Sequence, residues 1–348
     1  MVANQVLPPP AVEGDPRLSV HTLSEFLYCP RAGLQSFEHQ TDKFEDERPV
    51  AHLNFQPPYE LADLREQLHW QLQRALWLLG VLVVVVVASV LLMSFDSRWF
   101  AMPGVLAGFL GLRMLGRQFP ILWRLHRMHQ QSLRAGRQSP KETLDAPERI
   151  NWWALLNDGF DSAIYGRMVD DESQLGGCPW RVLRRGALRI PVVRLRQEKE
   201  HLFDGHFAKV AAYCHLLRIA EPATLSPYGI VLFGDTYVGF AIPNDPHSRK
   251  HFHQALFRAR EMIRDAERPE GEPHAPEQSE RRKLCTGCHW GFPVVYRPGE
   301  TESTKFGEKL TPRVVTAKDN RGYHSGCGDR FDWIPPHAKA GEKGLTIL

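Results

Sequence analysis

Residues 76–95 read LWLLGVLVVVVVASVLLMSF, and the only polar side chains among them are Ser89 and Ser94. Coiled into a helix that rises about 1.5 Å per residue, the run reaches roughly 30 Å, the thickness of a bilayer's hydrocarbon core. A buried helix of a soluble domain normally shows polar residues at every turn on one face. This run shows no such face, so it reads as a membrane span. The first charges outside it are Arg74 and Asp96.

A second apolar run, WFAMPGVLAGFLGL at 99–112, continues past Arg113 to Gly116. Gly104, Gly108 and Gly111 would let it pack closely on the first helix, because small residues allow backbones to approach in lipid. Its shortness leaves a re-entrant or interfacial segment as the alternative. Only Asp96, Ser97 and Arg98 separate the two runs, which forces an antiparallel transmembrane hairpin. Arg65 and Arg74 precede it, and Arg113, Arg117, Arg124, Arg127, Arg134 and Arg137 follow it. The positive-inside rule then puts both flanks in the cytoplasm. The expected topology is two-pass in the inner (cytoplasmic) membrane, with the soluble domain and both termini cytoplasmic.

Around the hairpin the chain is ordinary. Of 348 residues, 43% are hydrophobic and 24% charged, enough for a folded core. The net charge of +3 neither demands nor excludes nucleic acid. Residues 1–17 hold Pro8-Pro9-Pro10 and Glu13 but no apolar core, so they read as a disordered N-terminus and not as a signal peptide. On a reducing cytoplasmic face, six cysteines are more plausible as ligands or core thiols than as disulfides.

Outward from the hairpin, residues 18–74 form an N-terminal helical part. Thr22 and Glu25 have capping-box spacing there, and Pro30 ends a turn or opens a new helix. The hairpin takes 75–117, and a basic amphipathic exit helix with its linker takes 118–150. A core at 151–267 follows. In it, 163–169 reads as a strand, 180–196 as two strands around Arg185-Gly186-Ala187, and 205–219 as a helix. A hairpin around Gly234-Asp235 and an amphipathic helix at 248–266 complete it. Residues 268–284 are a Pro/Glu-rich linker, and 285–348 are a Cys/His tail.

Several short motifs fall in a telling order: Tyr28-Cys29-Pro30-Arg31, Gly166-Arg167, Ile190-Pro191-Val192, Gly205-His206 with Ala211-Ala212-Tyr213, Pro227-Tyr228-Gly229, and Cys285-Thr-Gly-Cys288. Together they resemble the RecB-like PD-(D/E)XK nucleases, in the CRISPR-associated exonuclease-type branch that carries an iron–sulfur cluster. The resemblance covers roughly 18–298, with the membrane run as an insertion. It implies an α/β, restriction-endonuclease-like mixed sheet flanked by helices. An Asp on one strand, and on the next a Glu with a Lys two residues on, would hold magnesium or manganese and orient water.

The chain departs from that pattern at each metal-site position. Gly-x-x-Asp is here Gly166-Arg-Met-Val169, Pro-Val-Glu-x-Lys is Pro191-Val-Val193-Arg-Leu195, and Gln-x-x-x-Tyr is Lys209-Val-Ala-Ala-Tyr213. Val169, Val193 and Leu195 therefore stand where carboxylates and an amine belong. A one-residue slip would recruit Asp170, but Arg194 and Arg196 supply no Glu-x-Lys. His206, beside Gly205, is a candidate base without a carboxylate partner.

Arg181, Arg184, Arg185, Arg189, Arg194 and Arg196 crowd one hairpin and could track a phosphate backbone. A solvated sheet face or contact with lipid headgroups is the plainer reading. Cys285-x-x-Cys288 and His324-x-x-Cys327 are two knuckles suited to a tetrahedral Cys₃His zinc site. The iron–sulfur alternative joins Cys29 to Cys285 and Cys288, with Cys327 as substitute for the family's remaining cysteine. Cys178 and Cys214 read as core thiols.

The sequence therefore points to a membrane-anchored pseudo-nuclease acting as a DNA-binding or scaffold module. An active, metal-dependent exonuclease tethered to the membrane is the first alternative. A protein-interaction module with a protein partner and no nucleic acid is the second. No small-molecule substrate is evident.

Overall fold

The computed structural model describes residues 8–39, 60–93, 101–137, 140, 144–195, 200–234, 237–267, 276–279, 284–285, 288, 290–291, 294–304, 307–314, 327 and 330–331. Within the lead-in, residues 8–17 are tied to the body and so are not the free tail expected. The Ala11 N–H donates to Glu172 O at 2.9 Å, and Asp15 is buried 3.6 Å from the Arg260 guanidinium.

Strand β1 (Leu18–Ser19) runs directly into helix α1 (Val20–Tyr28). Ser19 caps that helix, its hydroxyl accepting from the Thr22 N–H at 2.9 Å. The cap therefore sits one turn before the expected Thr22–Glu25 box, and Glu25 is left for another role. Cys29 is extended, with φ −160° and ψ 126°, and Pro30 opens helix α2 (Pro30–Glu38) at its first turn.

Helices α3 (Leu61–Met93) and α4 (Ala101–Arg134) are the longest elements. A Cβ on Gly111 would stand 2.7 Å from Leu82 Cδ1, so α4 packs tightly on α3 there, while Gly108 faces open space. Of the expected glycine contacts, Gly111 makes one and Gly108 does not. The basic exit segment is not a separate helix: it continues α4 through Pro120. Among the described residues one helix, Leu61–Leu91, is long and apolar enough to cross a membrane, and none of its most apolar window is buried. The run is thus not a core helix of this fold.

The body is mixed α/β. Strand β2 (Glu148–Asn151) leads into helix α5 (Trp152–Asn157), capped by Asn151, whose side chain accepts from the Trp153 N–H at 2.9 Å. Then come β3 (Asp161–Ala163), β4 (Met168–Asp170), β5 (Leu175–Gly177), β6 (Arg181–Arg185) and β7 (Leu188–Leu195). The expected single strand over 163–169 is split. Its first part pairs with β6 and its last part with β5, and Ile164 between them is exposed. Helix α6 (Asp204–Ala220), β8 (Tyr228–Phe233), β9 (Val238–Pro243) and helix α7 (Pro246–Glu267) match the expected elements to within a few residues. Strands β10 (Val294–Thr304) and β11 (Gly307–Val314) form an antiparallel pair in the tail, where no strand was expected.

Two mixed sheets result. The small one runs β1-β5-β4 and the large one β2-β9-β8-β7-β6-β3, with β7 and β8 parallel across the α6 crossover. Alternation along the central strands gives the large sheet two buried faces. Val193, Val231 and Phe233 pack under α1, α6 and α7. Ile190, Val192, Ile230 and Leu232 pack against Trp152 and Trp153 of α5, with Leu64 of α3 and Leu125 of α4. The bases of the two long helices are therefore built into the core. A Cβ on Gly229 would meet Val210 Cγ1 at 2.7 Å, so the glycine of the Pro-Tyr-Gly motif lets α6 lie close on β8.

Candidate functional site

Two places in the body carry the chemistry-bearing residues. The first is the α1–α2 turn. Cys29, Cys285, Cys288 and Cys327 are all buried and line one small cavity with Tyr28, Ala32 and Trp290. Each residue of the Tyr28–Arg31 motif serves this junction. The Tyr28 hydroxyl donates to Leu284 O at 2.5 Å. Cys29 lines the cavity, and Pro30 sets the start of α2. Arg31 donates to Pro276 O at 2.6 Å and lies 5.2 Å over the Phe331 ring.

The C-terminal side is fixed by its own backbone. The Cys288 N–H donates to Cys285 O at 3.3 Å, and the Cys327 N–H to Trp290 O at 3.0 Å. A Cβ on Gly291 would come within 3.2 Å of the Cys285 backbone, so this glycine permits the close turn. Burial pushes the Cys288 thiol up to about 12 and the Cys327 thiol up to about 11. Bare, both stay protonated at neutral pH, and a bound cation would invert that preference. Cys29, widely separated in sequence from the tail, thus joins Cys285, Cys288 and Cys327. His324 of the expected zinc set lies outside the described residues. Among the described residues, no group of three or more His, Cys, Asp or Glu is placed to hold a metal ion.

The second place is the face of β7 under α6, where two of the three positions that the resemblance assigns to a metal site, Val193 and Leu195, fall. Val193 has no exposed surface, and Leu195 packs partly buried against the same core. Val169 lies on β4 opposite Gly176, in the other sheet. Lys209 is buried and interacts with Glu25 across the α1–α6 contact. Burial raises the Glu25 carboxyl, and the Lys209 charge offsets part of that rise. A Cβ on Gly205 would stand 3.2 Å from Ser24 Oγ, which is what brings the two helices this close. Tyr213 is fully buried and donates from its hydroxyl to Cys178 O at 3.0 Å. The Cys178 thiol in turn donates to Tyr165 O at 3.2 Å. His206 accepts the Phe203 N–H on Nδ1 at 3.2 Å. Burial, helped by the charges of Lys209 and His201, pushes it down to about 4.

Asp170, the residue a register slip would recruit, is engaged elsewhere. It accepts from the Ser173 hydroxyl and, at 2.8 Å, from His215 Nε2. Arg218 Nη2 lies 3.3 Å from His215 Nδ1. An arginine can only donate, so Nδ1 is an acceptor and Nε2 carries the proton. Burial lowers His215, so the pair is a neutral imidazole donating to a carboxylate. Burial also pushes the Asp170 carboxyl up, but the bonds from His215 and Ser173 outweigh it and hold it low. Arg260 Nη2 donates to Ser173 O at 2.5 Å, joining α7 to the same network. The sequence reading missed this network and the Glu25–Lys209 pair, because neither has a local spacing signature.

The arginines of the β6–β7 hairpin mostly have internal work. Arg181 is buried with its guanidinium 5.6 Å over Trp180. Arg185 pairs with Asp158 at 2.5 Å and covers Phe160. Arg189 pairs with Glu221 at 2.8 Å. Arg194 lies over Trp180 and Tyr237 and donates to Gly234 O at 3.0 Å. Arg184 is exposed near Glu221, and Arg196 lies outside the described residues. Among the described residues, Arg181, Arg185, Arg189 and Arg194 brace the sheet through these contacts.

No model of a known protein family and no curated protein matches this chain.

Proposed function

We propose that this chain is a membrane-anchored PD-(D/E)XK nuclease-like protein that does not cut, and that acts as a scaffold or binding module at the inner membrane. The observation that carries the reading is the hydrocarbon on β7. Val193 is sealed in the core with Leu195 beside it, and β7 offers no carboxylate along its length. Asp170, the nearest substitute in sequence, already accepts from Ser173 and His215. A divalent ion prefers several oxygen ligands, and no side chain of β7 supplies one. The mixed sheet with helices on both faces agrees with the fold that the resemblance implies.

The same reading includes a metal centre at the α1–α2 turn. The thiolates of Cys29, Cys285, Cys288 and Cys327 would hold it. Four thiolates suit zinc or an iron–sulfur cluster, and either would cross-link the start of the body to its tail. Anchoring rests on the exposed apolar length of α3 and on α4 packed beside it, in the two-pass, cytoplasm-facing topology that the flanking arginines favour.

The test is a digestion assay on detergent-purified full chain with magnesium or manganese, run beside elemental analysis. The expected result is no cleavage of single- or double-stranded DNA and one metal centre per chain. Absorption near 400 nm identifies a cluster, and colourless protein with stoichiometric zinc identifies zinc. Metal-dependent cleavage abolished by Asp170→Asn would overturn the non-cutting reading. Metal-free protein that folds normally would overturn the thiolate centre.

A further inference from the structure

The antiparallel packing of α3 and α4 brings aromatic and cationic residues to one level. Leu82 meets Gly111, and Leu64 and Leu125 lie in the same core cluster near the base. In that register Trp70 lies level with Trp123, and Arg74 lies level with Arg117 and Phe119. Trp77 lies level with Gly116, and Arg113 lies level with Gly80, about 5 Å further along the axis. Trp70, Trp77, Phe119 and Trp123 are all exposed, Trp77 at 73%. Arg74 covers Trp70 with its guanidinium 5.3 Å from the ring centroid. Arg113 and Arg117 are exposed one turn apart, on one face of α4.

Two features say what covers this ring of residues. The first is charge. Helix α4 has no Asp or Glu along its length, and the only acids of α3 are Asp63 and Glu66, near its base. Neither helix offers the three guanidiniums a carboxylate at their level. The second is position. Trp70 to Trp77 covers about 10 Å of helix, close to the depth of a headgroup layer, and Arg113 lies about 6 Å into the apolar run, within the reach of a side chain that snorkels back to that layer. Exposed tryptophans with arginines at the end of an apolar helix are what a membrane–water interface selects.

We infer that Arg74, Arg113 and Arg117 form a collar that binds the phosphates of anionic phospholipid headgroups, with Trp70, Trp77 and Trp123 seated in the same layer. The collar rests on the anchoring reading and adds the lipid class to it. It also fixes the height of the body. Leu125 is buried in the sheet's core only two residues past Trp123, so the α/β body stands directly on the headgroups, without a stalk.

The test uses full chain reconstituted into vesicles of phosphatidylcholine, alone or mixed with phosphatidylglycerol. Flotation reads insertion. Electron spin resonance of spin-labelled lipids reads which headgroup the protein immobilises. Wild type is expected to float with both vesicles and to enrich labelled phosphatidylglycerol over phosphatidylcholine by about twofold or more. The triple variant R74Q/R113Q/R117Q should still float with that enrichment gone, and the triple lysine variant should keep it. Flotation without enrichment in wild type overturns the collar and leaves anchoring standing. Failure to float with either vesicle overturns both. Enrichment that survives the glutamine variant overturns the collar. So does a glutamine variant that loses single-stranded oligonucleotide binding with its lipid preference intact, which would assign these arginines to nucleic acid.

Discussion

His206 gives a pH dependence that can be worked from its surroundings. Its Nδ1 accepts the Phe203 N–H at the start of α6, and its ring packs edge-on to Phe203 and Phe233. Protonation would remove the acceptor and place a charge in a buried site beside Lys209. The group is therefore pushed from 6.5 down to about 4, first by burial and then by Lys209 and His201. Because the folded value lies below the unfolded one, the stabilisation is fully present above about pH 6.5. It is lost as the pH falls toward about 4, where the unfolded chain has taken the proton and the folded chain has not. At about 1.4 kcal/mol per pH unit, the loss between pH 7 and pH 4.5 is about 2.5 kcal/mol. His206→Gln keeps a side-chain acceptor for the Phe203 N–H but cannot titrate. Denaturant unfolding of both proteins in detergent, at pH 7 and pH 4.5, isolates the effect, because the other titrating groups are common to both. Wild type should lose about 2.5 kcal/mol more than the variant over that interval. Parallel pH profiles, or an imidazole that titrates near 6.5 by NMR, would refute the burial argument.

Other substitutions test the remaining contacts. Val193→Glu puts the residue type of the resembled pattern into a site with no exposed surface, and it should cost about 3 kcal/mol or more by denaturant midpoint without creating nuclease activity. Leu125→Ala removes a fully buried side chain where α4 meets the sheet, and it should cost about 2–5 kcal/mol while leaving vesicle flotation unchanged. In Gly33→Ala the new Cβ would meet Phe26 Cγ at 2.3 Å and the Phe26 Cα at 2.7 Å, so α1 and α2 must part and carry Cys29 with them. Metal content should fall there. Gly80→Ala, with nothing within 4 Å, serves as the neutral control.

Much of the body could be read from short-range pattern. The strands flanking Gly186 follow from alternation, and so does the hairpin of β8 and β9. Helices α6 and α7 follow from their apolar stripes. Contacts between distant segments could not be read this way. The Thr22–Glu25 spacing fits the capping-box pattern, yet Ser19 takes the cap, and the interaction of Glu25 with Lys209 is invisible until α1 and α6 meet at Gly205. The stretch 163–169 has strand composition throughout, but β6 and β5 lie in different sheets and pull its ends apart. The arginines of β6 and β7 look like a cationic patch as a string. Folded, Asp158, Glu221, Trp180 and Tyr237 occupy most of them.

What the sequence determined by itself is the apolar length of residues 76–95 and the aliphatic identity of Val169, Val193 and Leu195, because transfer from water and metal-ligand chemistry are properties of the side chains alone. Only the tertiary structure decided that Cys29 meets Cys285, Cys288 and Cys327, that Asp170 is spoken for by His215 and Ser173, and that the feet of α3 and α4 are part of the core. The physical reason is separation along the chain. A partner hundreds of residues away leaves no local spacing to read, and only the packing of α1 on α6 and of the tail on the α1–α2 turn brings such groups into range.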